Sequence, residues 1–174
     1  MAHLNPPAGA QDHAEGSADA PVTLVEYGDY QCPYCGNAYP IVKRMQKLMG
    51  AKMRFVFRNF PLAEMHPFAM AAAEVAEAAA LQGKFWQMHD RLYENQDALD
   101  PAGLKSHVLH LHLDLGKIED AVRDGTVVAR IKADFNGGVR SGVNGTPSFF
   151  INGQRFDGNW TDDAEFAAAL NAAG

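Results

Sequence analysis

The chain of 174 residues holds two cysteines, and they lie three apart in the run Cys32-Pro33-Tyr34-Cys35. Two cysteines placed at random in such a chain would fall at that spacing about once in a hundred chains, so the spacing is itself a signal. A disulfide-stapled scaffold needs more cysteines, and a zinc site built on them needs about four ligands. Thiol–disulfide exchange needs only a close pair. One sulfur attacks as a thiolate, and the other resolves the mixed disulfide that forms. Two simpler readings compete. Free cysteines often serve as small buried hydrophobes, and a structural bridge is the other alternative, although one closing so short a loop restrains the unfolded chain little.

The elements around the pair favour the redox reading. Residues 22–27, following Pro21, form a β-rich run, and residues 28–31 read as a turn. A helical pattern begins at Cys32, with Pro33 at the first helical position, and should run to Met49 and stop at Gly50. Pro40 falls inside it and should kink it. Residues 53–60 alternate apolar and basic side chains as a second strand, ended by Pro61. Helical patterns then cover 67–82, 85–95, 101–112, 117–123 and 126–139. The strand signal returns over 147–151, the pair Asn152-Gly153 marks a type I′ hairpin turn, and a second strand covers 154–157. Thr161 or Asp162 can cap a last helix to about Ala172. The order β-α-β, helices, hairpin, helix predicts an α/β class: a thioredoxin fold with a helical insertion between its halves. We place a flexible tail at 1–17, the core at 18–60 and 140–174, and the insertion at 61–139.

At the head of a helix, the free amides and the dipole favour an anion, so Cys32 should ionise below its ordinary range and act as the nucleophile. Cys35, one turn on and less exposed, should resolve. Glu26 shares a strand face with Val22 and Leu24. A carboxylate there is costly without a task, and a buried Glu of raised pKa could take the Cys35 proton. The competing placement is a strand end open to solvent. Asp29, nearer the turn, is expected to be solvated. Thr146-Pro147 precedes the third strand run and should leave a short edge where an extended peptide could add. Thr146, Pro147, Pro33 and Tyr34 are therefore the candidate substrate contacts.

Val-Glu-Tyr-Gly-Asp-Tyr-Gln-Cys-Pro-Tyr-Cys (Val25–Cys35) and Gly-Thr-Pro-Ser-Phe-Phe-Ile-Asn-Gly (Gly145–Gly153) resemble the DsbA-like disulfide oxidoreductases of the thioredoxin superfamily. Asn59–Leu62, the His66-Pro67 pair and Lys84-Phe85-Trp86 fit the same family. The likeness is greatest to short forms, some of which are tail domains on sodium/proton antiporters. It implies Cys32 as nucleophile, Cys35 as resolving thiol, Glu26 as buried acid, Pro147 as a cis-proline opposite the pair, and Thr146 offering backbone groups to substrate. Well-known members carry Pro-His between the cysteines; this chain carries Pro-Tyr, the dipeptide common in glutaredoxins. Lacking that histidine, and with Glu26 and Asp29 nearby, its disulfide should be less oxidising than that of periplasmic members.

Lys and Arg number 15 against 21 Asp and Glu, a formal charge of -6. Such a surface repels phosphate backbones and anionic lipid, and no apolar run approaches the roughly 20 residues needed to span a bilayer, so neither nucleic-acid binding nor membrane insertion is expected. The expected partners are protein or peptide thiols and disulfides, with glutathione a further candidate, and a redox partner that recycles the pair. No cofactor is expected. A native Met1 with no export signal favours the cytosol; a periplasmic or extracytoplasmic site would apply if such a signal had been removed. His107, His110 and His112 crowd one helical piece but read as surface residues rather than metal ligands. His3 and His13 fall in the tail, His66 could sit at the rim of the site, and Met65, Phe68, Phe85 and Trp86 read as insertion core. Two other functions compete: a glutaredoxin-like reductase of glutathione mixed disulfides, and a non-catalytic redox-sensing interaction domain.

Overall fold

The computed structural model describes all 174 residues. Five strands form one sheet in the order β1-β3-β2-β4-β5. Its centre is the parallel pair β2 (Val22–Gly28) and β3 (Met53–Asn59), joined by α1 (Pro33–Met49). Helix α1 opens with Pro33 and stops at Gly50, whose φ of 52° suits glycine. β4 (Ser148–Ile151) lies antiparallel on the other side of β2, and β5 (Gln154–Phe156) continues the hairpin. Asn152 and Gly153 both have positive φ, 47° and 82°, as a type I′ turn requires. Helices α2 (Ala69–Ala80), α3 (Phe85–Glu94), α4 (Pro101–His110), α5 (Leu115–Arg123) and α6 (Thr126–Arg140) lie between β3 and β4. α7 (Asp163–Ala172) closes the chain, with Asp162 accepting from the amides of Ala164 and Glu165. No helix is long and apolar enough to cross a membrane.

The period of two along each strand divides the core between the two faces of the sheet. Val22, Leu24, Phe55, Phe57, Phe149 and Ile151 pack with α1 and the insertion in the larger cluster, which also contains both cysteines. Val25, Tyr27, Val56 and Phe150 form the smaller one on the opposite face, with Leu4, Phe60 and Val143.

That second face overturns the reading of residues 1–17 as a loose tail. Residues His13–Glu15 form β1, antiparallel to β3, and Leu4 is buried with its amide bonded to the Gly153 carbonyl at 2.8 Å. Asp12 pairs with Arg58 at 2.8 Å. His13 stacks on Phe85 and bonds the Glu77 carboxylate at 2.9 Å. The cause is unsatisfied surface: without this segment, apolar side chains of β2, β3 and β4 would face water. His107, on α4, is buried and donates to the Ala98 carbonyl at 2.9 Å, while His110 at the end of that helix and His112 beyond it are exposed. The three do not converge.

Candidate active site

Cys32 occupies the N-cap of α1, an extended residue before the helix, and Pro33 takes the first helical position. The Cys32 amide is engaged with Asp29, so the groups free to meet its sulfur belong to the next turn. Its thiol is brought down to about 5, first by the hydrogen bond from Cys35, against the opposing effect of burial. Thr146 and the amides of Cys35 and Tyr34 add to that lowering. Cys35 is pushed well above its ordinary range by burial, by its bond to Cys32 and by the charge of Glu26. Both thiols are free. Two sulfurs three residues apart are thus split into one acidic and one reluctant thiol.

Cys32 lies across from the loop ahead of β4, its Sγ 3.5 Å from the Thr146 carbonyl. The Thr146–Pro147 peptide is cis. Cys32 keeps 3% of its surface and Cys35 none. The order of exposure is as expected, but the first sulfur is far less open than a nucleophile at a helix head suggests. Pro33 and Tyr34 are the open flank, Tyr34 at 64% exposed.

Glu26 sits deep rather than at a strand end. It is 2% exposed, between Phe57 on β3 and Phe149 on β4, and its Oε1 has no hydrogen-bond partner. Burial, then the charge of Cys32, pushes its carboxyl up to about 8. The Tyr93 hydroxyl, from α3, is also buried without a partner, close over Gly28, the next residue on the Glu26 face. Its acidity is suppressed by burial and then by the charges of Cys35 and Glu26. Tyr93 had only its place on the apolar face of α3 to mark it.

Asp29 corrects the sequence reading most directly. It is buried, not solvated, because the loop after β3 closes over it: its carboxylate bonds amides on both sides and His66. His66 thereby lies beside the turn that carries Cys32. Met65, in the same loop, is 72% exposed rather than core, whereas Phe85 is buried and Phe68 and Trp86 pack against the core. From the opposite side, the Gln96 amide donates to the Tyr30 carbonyl at 2.8 Å and the Cys32 carbonyl at 3.0 Å. Gly36 leaves the room for it, since a Cβ there would strike the Gln96 side chain.

A dithiol at the head of the helix that joins two parallel central strands, with a proline loop facing it, defines a DsbA-like thioredoxin fold. The chain belongs to the thioredoxin family, whose model matches residues 9–172. It is similar to the BdbD structure from Bacillus subtilis in its oxidised form, with a TM-score of 0.84, 23% identity, and 99% and 97% of the two chains covered. A thioredoxin-like oxidoreductase from Silicibacter pomeroyi aligns with a TM-score of 0.84 at 26% identity, over 95% of this chain and 93% of that one. The Na(+)/H(+) antiporter NhaA 1 of Salinispora arenicola is 44% identical over 162 residues, 93% of this chain but 25% of the antiporter. The chain therefore spans about a quarter of the length of the curated relatives it matches.

Proposed function

We propose that the protein is a thiol–disulfide oxidoreductase that works on protein or peptide substrates through a mixed disulfide at Cys32. The observation that carries this is the placement of the pair: Cys32 caps α1 with its Sγ 3.5 Å from the carbonyl of Thr146, which leads into the cis peptide to Pro147, and Cys35 lies fully buried one turn on. An acidity of Cys32 lowered to about 5 and a Cys35 thiol pushed up by burial fit that placement. In the reducing direction, the Cys32 thiolate attacks one sulfur of a substrate disulfide, and the other substrate sulfur leaves as a thiolate. The mixed disulfide removes the Cys32 charge that helps hold the Glu26 proton, so that Glu26 can ionise, take the proton of Cys35 and free it to attack the Cys32 sulfur. The substrate's second thiolate departs, the substrate has gained two electrons, and the enzyme holds a Cys32–Cys35 disulfide. The reverse sequence donates that disulfide.

Glu26 suits the transfer because a carboxyl near 8 can hold or release a proton close to neutral pH. Thr146 and Pro147 offer backbone beside the sulfur for an extended substrate, with Pro33 and Tyr34 as the exposed flank. Two molecules of glutathione, or one dithiol protein, would reduce the Cys32–Cys35 disulfide and return the pair to its starting state.

Insulin reduction and refolding of a scrambled disulfide protein test this. Cys32→Ser should abolish both activities, and Cys35→Ser should accumulate mixed disulfides with substrate. Unchanged turnover in Cys32→Ser would end the proposal. Full activity of Cys35→Ser on glutathionylated peptide, a reaction that needs only the first thiol, would shift the reading towards a glutaredoxin-like reductase.

A further inference from the structure

Asp29 stands three residues before the nucleophile with its side chain fully buried. Its Oδ1 accepts from the amides of Gln31 at 2.8 Å and Cys32 at 3.2 Å. Its Oδ2 accepts from the Leu62 amide at 2.9 Å and meets His66 Nδ1 at 2.8 Å. The Asp29 carbonyl also accepts from the Cys32 amide at 3.1 Å. One residue thus joins the turn before the nucleophile to the loop after β3.

Charge alone does not explain it. A carboxylate beside Cys32 opposes formation of the thiolate, and a neutral Asn or Ser could accept the two local amides as well. What a carboxylate adds is the second oxygen, which reaches across to Leu62 and His66. Gln31 reinforces the same seam, its Oε1 accepting from the Phe68 amide at 2.6 Å.

We propose that Asp29 is a positioning residue: its carboxylate, held by His66 and Leu62, fixes the turn that sets Cys32 at the head of α1 with its sulfur across from the Thr146 carbonyl. The inference rests on the thiol-exchange reading above. It is tested by titrating the Cys32 thiolate through its ultraviolet absorbance in the reduced full chain, so it can fail separately from that reading. Wild-type insulin reduction, run alongside, judges the exchange activity itself.

Asp29→Asn keeps one acceptor for the local amides but removes the charge and the second acceptor. Loss of positioning should raise the Cys32 pKa by about one unit, a tenfold weaker ionisation. Mere removal of a nearby negative charge would lower it, so an unchanged or lowered value overturns the proposal. Where Asp29→Asn does not fold, a pair at His66 decides. His66→Phe removes the donor and should weaken Cys32 ionisation about threefold. His66→Asn retains a neutral N–H donor and should restore most of that loss. Equal behaviour of the two would mean that the imidazole acts only by charge or bulk, and would overturn the proposal.

Discussion

Neighbouring strands bury a carboxyl and a guanidinium, Glu26 on β2 and Arg58 on β3, and the surroundings treat them in opposite ways. Arg58, on the face covered by the N-terminal segment, is 3% exposed. Its Nε donates to Asp12 Oδ1, Nη1 to the Pro6 carbonyl and the Tyr27 hydroxyl, and Nη2 to the Pro7 carbonyl and Asp12 Oδ2. All the donors of a guanidinium are used. Burial works against its charge, yet the bonds to Asp12 and Tyr27 more than offset that and hold it ionised. Glu26, 2% exposed on the other face, has an oxygen with no partner, and its charge is suppressed instead. Burial by itself therefore says little about function. A buried group left unsatisfied, with its proton held near neutral pH, marks the place where protons can move.

Removing Arg58 should have the largest effect on stability. Arg58→Met strands the Asp12 carboxylate in a buried site and should cost about 3–5 kcal/mol in urea unfolding. Adding Asp12→Asn should recover part of that loss, and the folded fraction should keep its exchange activity. A cost under about 1 kcal/mol would show that the N-terminal segment is held by apolar contact alone.

Glu26→Gln should act in the opposite sense. The folded protein holds the Glu26 proton up to about 8, whereas the unfolded carboxyl releases it near 4.5. Between those values the unfolded chain binds fewer protons, so this residue's contribution makes stability fall as pH rises, by at most about 1.4 kcal/mol per unit. Reduced Glu26→Gln should therefore gain on the wild type across that window, by a few kcal/mol at its upper end, and keep a constant margin above it. Resolution of a mixed disulfide should slow by ~100-fold in the same variant. Parallel stability curves would show that Glu26 finds a partner in solution.

Local signals carried much of the fold. Pro33 and Gly50 delimit α1, Asn152-Gly153 turns the hairpin, and Asp162 caps α7; each is legible within a few residues. The placements of Cys32 and Cys35 on α1 and of Glu26 on the buried face of β2 are legible for the same reason, through helix position and strand period. What failed to show depends on distant partners. Asp12 and His13 sit in a segment whose Ala, Gly and Pro content reads as loose, yet their partners Arg58 and Glu77 lie 46 and 64 residues away. Arg58 belongs to an alternating strand whose basic positions look solvated until that segment covers them. Asp29 looks like a turn residue until Leu62 and His66, over thirty residues on, close upon it.

The smallest expected effect concerns the residue between the cysteines. A more stable thiolate favours the reduced state, and one pKa unit corresponds to about 30 mV for a two-electron couple. Thioredoxin, with its nucleophile near ~7 and a potential of about −270 mV, gives a starting point. Cys32, near 5, should then lie up to ~60 mV higher, well short of the roughly −120 mV of DsbA. Tyr34→His would place an imidazole beside the sulfur, but position 34 is 64% exposed, so solvent screens its charge. Titration against glutathione should show a rise of under about 30 mV, larger at pH 6 than at pH 8 because only the protonated ring contributes. A rise independent of pH would place the influence of residue 34 in packing against substrate and the proline loop rather than in charge, and would remove electrostatics at this position from the list of things that set the potential.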